Sequence, residues 1–480
     1  MEVRGRRITK GFEMTKHDFD TVVIGGGFAG VTACRDLAEQ GYSVLLLEAR
    51  DRLGGRVFSE RGRIGDWEGV IEHGGQYVWS DRQVNVMAEI ERYGLTVVHS
   101  TMPECYPTID RGQYNPGPLP VPLEEIFDFE RAAHQILSDA KRITLGIPLD
   151  RQNLADLDIP FSEYLDNLKV GPGTRGFFTF LSTFFTGRYP HEVSALPPLQ
   201  FVAQLDYSLI RAWGVLDEYT EEGISTLVDA MAADSGADVR LGTPVSSVRQ
   251  DDSGATVTTA AGDTFTASTV VVATPVACWK NITFDPPLSA GKLAMVGDGN
   301  QNSCAIKVHA QVKNAPHLPF ALGNAETENG AAILFTDTDL GENGQLMTGF
   351  YVNHPDNPDR FGTDFAGVER FLHAFFPEAE LVAFDLHDWN EDEWSGYGDW
   401  MALPPGIISK HHAESSRPEG RLHFATSDIA QTFMVWFEGA IEMGKKAAVD
   451  AQRLMTREAI ESKVPARAKA SSAASESARA

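Results

Sequence analysis

Thr21-Val22-Val23-Ile24-Gly25-Gly26-Gly27-Phe28-Ala29-Gly30 runs from an unbroken apolar stretch straight into a glycine turn. The apolar residues predict a buried strand. After the turn, Ala33, Cys34, Leu37 and Ala38 recur at helical spacing until Gly41 stops the helix. Residues 43–47 form a second apolar strand that ends in Glu48. The three glycines of the motif serve different ends. Gly25 makes the tight turn, Gly27 lets a pyrophosphate approach the backbone, and Gly30 brings helix and strand together. Glu48, 18 residues past Gly30, is placed to accept hydrogen bonds from an adenosine ribose. Phe28 and Ala29 lie inside the same cradle. A bare glycine pattern is weak, but here strand, turn, helix, second strand and acid occur in order, which predicts a dinucleotide site in an α/β fold.

Nicotinamide and flavin are told apart by the residues after Glu48. The chain reads Ala49-Arg50-Asp51-Arg52-Leu53-Gly54-Gly55-Arg56, with Gly74-Gly75-Gln76-Tyr77 further on. Two glycine pairs and a fixed arginine suit a long cofactor lying extended through the protein. These motifs closely resemble those of the flavin monoamine oxidase family, bacterial putrescine oxidases included. The resemblance runs from about residue 20 to 454 and is thinnest between about 100 and 215.

The resemblance implies a Rossmann-like FAD-binding domain, of the kind flavin monooxygenases also carry, interleaved with an α+β substrate-binding domain. The expected cofactor unit takes residues 18–99, 216–297 and 387–455, and the substrate unit 100–215 and 298–386. Residues 1–17 are expected to be a disordered extension, with Met14 as an alternative start, and 456–480 a disordered tail. It also implies that Ala49, Arg50, Gly54, Gly55 and Arg56 lie along the pyrophosphate and flavin, with Gly74 to Tyr77 beside them. Val245 would meet adenine, and Ser427 and Asp428 the ribityl chain. Phe437 and Ala440 would open the helix that holds the pyrimidine ring.

Ala305-Ile-Lys307-Val-His309-Ala-Gln311 alternates apolar with polar residues, so periodicity alone places Lys307 on the wet side of a half-buried strand. Ala-Ile-Lys-Val matches the family strand whose lysine holds a water against flavin N5, which makes Lys307 the first choice for a catalytic residue. In the loop from Trp394 to Gly406, family members that bind FAD covalently use a cysteine where this chain has Gly398, so a non-covalent flavin is expected. The next family position, one aromatic wall of an amine cage, is Asp399 here; its partner wall is Trp436. Either Trp400 takes over as the wall or the substrate needs Asp399, to bind an ammonium or to act as a base. A solvated loop aspartate is the plain alternative. Most of Phe177, Phe178, Phe180, Phe184 and Phe185 are expected in the core.

At 480 residues and 42% apolar content, the chain can bury two intertwined domains. Its 67 acidic against 41 basic side chains give a net charge of −26, the wrong sign for nucleic acid. Cys34, Cys105, Cys278 and Cys304 are too sparse for a disulfide framework or a metal site, and neither a secretion signal nor a membrane span is legible, so a cytoplasmic protein without metal is expected. The leading expectation is an enzyme, an amine oxidase or dehydrogenase. Its flavin takes hydride from the carbon alpha to nitrogen, and O2 or an electron-acceptor protein reoxidises it. The runner-up is desaturation of a cyclic ketone or similar carbon skeleton with Asp399 as base, and the third reading is a flavin-binding module without catalysis. A homodimer is left open.

Overall fold

Strand β1 (Phe19–Ile24) is completely apolar from Val22 onward and lies at the centre of a sheet, so its residues are buried on both faces. It pairs in parallel with β2 (Val44–Leu47) on one side and with Thr264–Val272 on the other. The helix between them, α1 (Phe28–Glu39), is the crossover that parallel neighbours require. The sheet continues through Asp238–Arg240 beyond β2, and through Gly254–Thr259, Val245–Asp251 and Thr283–Asp285 on the far side, while Leu422–Phe424 also pairs with Thr264–Val272. This parallel-dominated α/β sheet brings Gly25, Glu48, Val245, Ala273 and the segment after Phe424 to one edge.

A second sheet has the order Glu380–Leu386, Ala305–Lys313, Gln345–Val352, Ala332–Asp339, Ala321–Leu322, Thr108–Asp110 and Gln113–Asn115. Its central pairs are antiparallel. One face packs Ile306, Val308, Ala310 and Val312 on Val368 and Phe371 of the Phe365–Phe375 helix. The structure, a computed structural model, describes residues 17–100, 108–110, 113–115, 121–297, 302–317, 321–322 and 332–461.

Three expectations need correction. The long helix Phe437–Glu461 continues past residue 455 into the stretch expected to be a disordered tail, because Met455 still packs into the main core; residues 462–480 lie outside the described residues. His17, expected in the extension, is 2.9 Å from the Ser253 carbonyl through Nε2, whereas 1–16 lie outside the described residues. Lys307 is not on a wet face: it is 6% exposed, because both faces of its strand are covered. Among the described residues no helix is long and apolar enough to cross a membrane.

Phe177, Phe178 and Phe180 are buried as expected of core aromatics, the first two packing around Phe129. Contact between α1 and β1 leaves no space at Gly30, where a Cβ would lie 1.9 Å from the Gly25 carbonyl oxygen. Gly30→Ala is therefore expected to push helix and strand apart and to cost about 1–3 kcal/mol in urea unfolding, the usual scale of overpacking.

Candidate active site

The N-terminus of α1 carries no side-chain cap and no acid in its first turn, and Gly27, Phe28 and Ala29 line a cavity there. Its unpaired first-turn N–H groups and the positive end of the helix suit a pyrophosphate. Glu48 accepts from the backbone N–H of Gly26 at 2.6 Å and of Arg50 at 2.9 Å. A carboxylate has about four acceptor sites, so Glu48 can stitch the turn to the second strand and still receive ribose hydroxyls. Thr243 N–H donates to the Glu48 carbonyl, which brings Val245 to the same rim.

The second glycine pair packs against the end of the first glycine segment, at Arg56. Gly75 N–H donates to the Arg56 carbonyl at 3.2 Å. A Cβ on Gly74 would sit 2.3 Å from the Arg56 carbonyl oxygen, and one on Gly75 would sit 2.6 Å from the Phe437 ring. Trp389 Nε1 donates to the His73 carbonyl at 2.9 Å and pins the segment from behind. The Arg56 guanidinium donates to Ser427 Oγ at 3.1 Å and to the Asp399 carbonyl at 3.2 Å, and pairs with Asp428 at 2.8 Å. Asp428 also accepts from Val276 N–H.

All the catalytic and cofactor-binding residues expected from sequence line one continuous cavity of about 330 Å³ except Gly30 and Asp428. Gly30 is spent on helix–strand packing. Asp428 is 1% exposed and holds Arg56 from behind the wall, so Ser427 rather than Asp428 is the one that reaches the cavity. The run from the α1 turn past Arg56 to Gln76 fits an extended FAD. Gly398 has no room for a side chain, since a Cβ there would be 2.5 Å from both Asn302 Cβ and the Ser303 carbonyl oxygen.

Beyond the flavin stretch the cavity becomes aromatic. Lys307 Nζ donates to Gln76 Oε1 at 2.6 Å and lies 5.7 Å from the Tyr77 ring and 5.9 Å from that of Phe350, its cross-strand partner. Burial pulls the Lys307 ammonium down to about 8, against the opposing pull of Glu72, Asp337 and Asp399. Trp436 packs on Trp79 with ring centroids 4.3 Å apart and on Phe201 at 6.1 Å. The turn before it holds Val435 at φ +66°, a strained value for a β-branched residue, and Ser427 O fixes that turn by accepting from Val435 N–H at 2.9 Å. Trp400 is locked by its Nε1 donating to the Phe185 carbonyl at 2.8 Å.

Asp399 is not a solvated loop residue. It lines the cavity, and its Oδ1 is enclosed with no hydrogen-bond partner among the described residues. Burial, aided by Asp388, holds it well above the usual carboxylate range, although Arg56 and Lys307 pull the other way. Phe350, Trp79 and Gln200 were not singled out from sequence. The register opposite Lys307 could have shown the first, and a lone glutamine in the apolar run Leu196-Pro-Pro-Leu-Gln200-Phe201 the last.

A glycine-turn nucleotide cradle opening into an aromatic chamber with one buried lysine defines a flavin-dependent oxidoreductase. The chain belongs to the family described as flavin containing amine oxidoreductase, which matches residues 28–452. It is 33% identical over 436 residues to (S)-6-hydroxynicotine oxidase of Paenarthrobacter nicotinovorans, covering 89% of this chain and 98% of that one. Against pseudooxynicotine dehydrogenase of Pseudomonas sp it is 32% identical over 450 residues, covering 89% and 85%. The structure of putrescine oxidase bound to putrescine is similar with a TM-score of 0.76 at 26% identity, covering 90% of this chain and 98% of that one. The protein is an enzyme that oxidises amines with non-covalently held FAD, acting on a small molecule with O2 or another acceptor. Desaturation of a cyclic ketone is not favoured by these relatives and is set aside.

Removing Arg56 strands the buried Asp428 carboxylate. Arg56→Leu is expected to lower stability by roughly 3 kcal/mol and to cut bound flavin, with part of the loss restored by adding Asp428→Asn. Chemical denaturation and flavin absorbance per protein read both effects.

Proposed function

We propose that this enzyme oxidises a secondary or cyclic amine carried on an aromatic ring. The observation that carries the reading is the chamber itself, whose walls Trp436, Trp400, Phe201, Phe185 and Phe350 present ring surface and almost no charge. The nicotine-derived names of two relatives support it. We assign the cofactor to residues 18–99, 216–297 and 387–455 and the chamber largely to the rest. Bound FAD supplies a two-electron acceptor for the hydride on the carbon alpha to nitrogen, leaving an imine that water hydrolyses.

The side chains prepare the amine for that loss. A hydride donor needs its nitrogen lone pair, so the amine must be neutral. Apolar walls disfavour the ammonium form by desolvation, and the Lys307 cation disfavours it by repulsion. Trp400 and Trp436 orient the flat substrate and exclude water. Lys307 holds a water or donates a proton at Nζ, through its link to Gln76. Asp399, held toward its neutral form, offers a hydrogen bond rather than a counter-charge, and its burial argues against a base ready at neutral pH.

Anaerobic mixing with mono-, di- and cyclic amines should bleach the flavin near ~450 nm for aryl-bearing cyclic amines; loss of colour only with cyclic ketones would sink the reading. Lys307→Met should slow reoxidation by O2 roughly 10²-fold, the scale of one positioned electrostatic group. In the wild type the Lys307 cation is present below about 8 and is lost as pH rises through it. Reoxidation should therefore fall across that range and become flat in the variant. Asp399→Asn should leave the rate of flavin reduction within a few-fold, whereas a drop of roughly 10²-fold, the size of a lost general base, would restore the carboxylate as a base.

A further inference from the structure

Helix Leu196–Gln204 is apolar almost throughout and is buried from Leu196 to Gln204 apart from Pro197. Gln200 is 1% exposed, lines the chamber, and has an Oε1 that meets no hydrogen-bond donor among the described residues. Its neighbour one turn on behaves differently: Gln204 Nε2 donates to the Thr432 carbonyl at 3.1 Å and so ties the helix to the turn that carries Trp436. Phe201 stacks on Trp436 itself. Gln200 thus stands on a rigid wall of the chamber, in a position where leucine would pack and where an unsatisfied amide is costly.

We propose that Gln200 is a specificity-determining residue whose amide oxygen accepts a hydrogen bond from an N–H or O–H group on the non-reacting, aromatic portion of the substrate. This rests on the amine-oxidising reading only in taking the chamber as the substrate's. An apolar pocket with few polar groups fixes orientation through those groups. A buried acceptor left unpaired by a substrate lacking the donor penalises that substrate more than the bond rewards the right one. The substrate class is therefore an aryl or heteroaryl amine with a ring donor, such as a lactam N–H or a phenolic O–H. Amines on plain phenyl or alkyl frames fit less well.

The test uses the oxidised, FAD-loaded enzyme and two ring probes that carry no oxidisable amine, 2-pyridone and N-methyl-2-pyridone, with binding followed by perturbation of the flavin spectrum. The wild type should bind 2-pyridone about tenfold more tightly than its N-methyl counterpart. In Gln200→Met that preference should vanish, with flavin content and thermal midpoint kept. Equal binding of the probes by the wild type, or none, overturns the proposal, as does a preference that survives in Gln200→Met. A merely structural role would lower the thermal midpoint and weaken both probes alike. Where Gln200→Met fails to hold flavin, Gln200→Leu and the wild-type contrast decide. Failure of every amine to bleach the flavin would sink the amine reading while leaving the pyridone contrast intact, so the two failures are separable.

Discussion

A row of three buried polar side chains joins the second sheet to the hairpin Ser59–Ile64/Trp67–Glu72 and the turn that follows it, and the site depends on it. On one face of Ala305–Lys313, Ile306, Val308, Ala310 and Val312 enter an apolar core. Lys307, His309 and Gln311 point the other way, and each finds a partner on the segment from 66 to 76. Lys307 donates to Gln76, His309 Nε2 to the Glu72 carbonyl at 3.1 Å, and Gln311 Oε1 accepts from Asp66 N–H at 2.7 Å. Burial keeps His309 neutral, with its pKa down at about 3. Left unpaired, each group would cost about 1–3 kcal/mol, so the strand and the 66–76 segment meet in one register. That register sets Lys307 against the Gly74 to Tyr77 turn.

Burial works on the two ionisable groups of the chamber from opposite sides. It drives Lys307 toward amine and Asp399 toward acid, so both move toward the uncharged form. The result is a chamber that tolerates neutral nitrogen and flat rings better than fixed ions. The chain's net charge of −26 has no counterpart there.

The nucleotide half was legible because its constraints are local. Gly25, Gly27, Gly30 and Glu48 act within one strand–turn–helix–strand, and the spacing alone carries the geometry. Lys307 was misread by periodicity since alternation reports that a strand has two kinds of face, not whether the polar one is wet. The second sheet's docking on residues 66–76 decides that, and it is a long-range event. Asp399 was legible as a departure from the family pattern, but its electrostatic surroundings include Arg56 and Lys307, which are remote in sequence. Gln200 went unnoticed because a buried polar residue in an otherwise apolar helix gains meaning only when its partners can be searched in space. The helical end past residue 455 was missed because a polar sequence hides a contact made with a residue remote in sequence, the ion pair of Glu458 with Arg421.

The steric closure at Gly398 has a physiological consequence. With no place for a sulfur tether, retention of FAD rests wholly on reversible contacts, so the fraction of active enzyme follows the free FAD concentration by mass action. Each tenfold rise above the dissociation constant adds about 1.4 kcal/mol to the folded state. A cell short of riboflavin would then hold less of this enzyme in folded form, and the polypeptide's lifetime becomes a gauge of the vitamin supply.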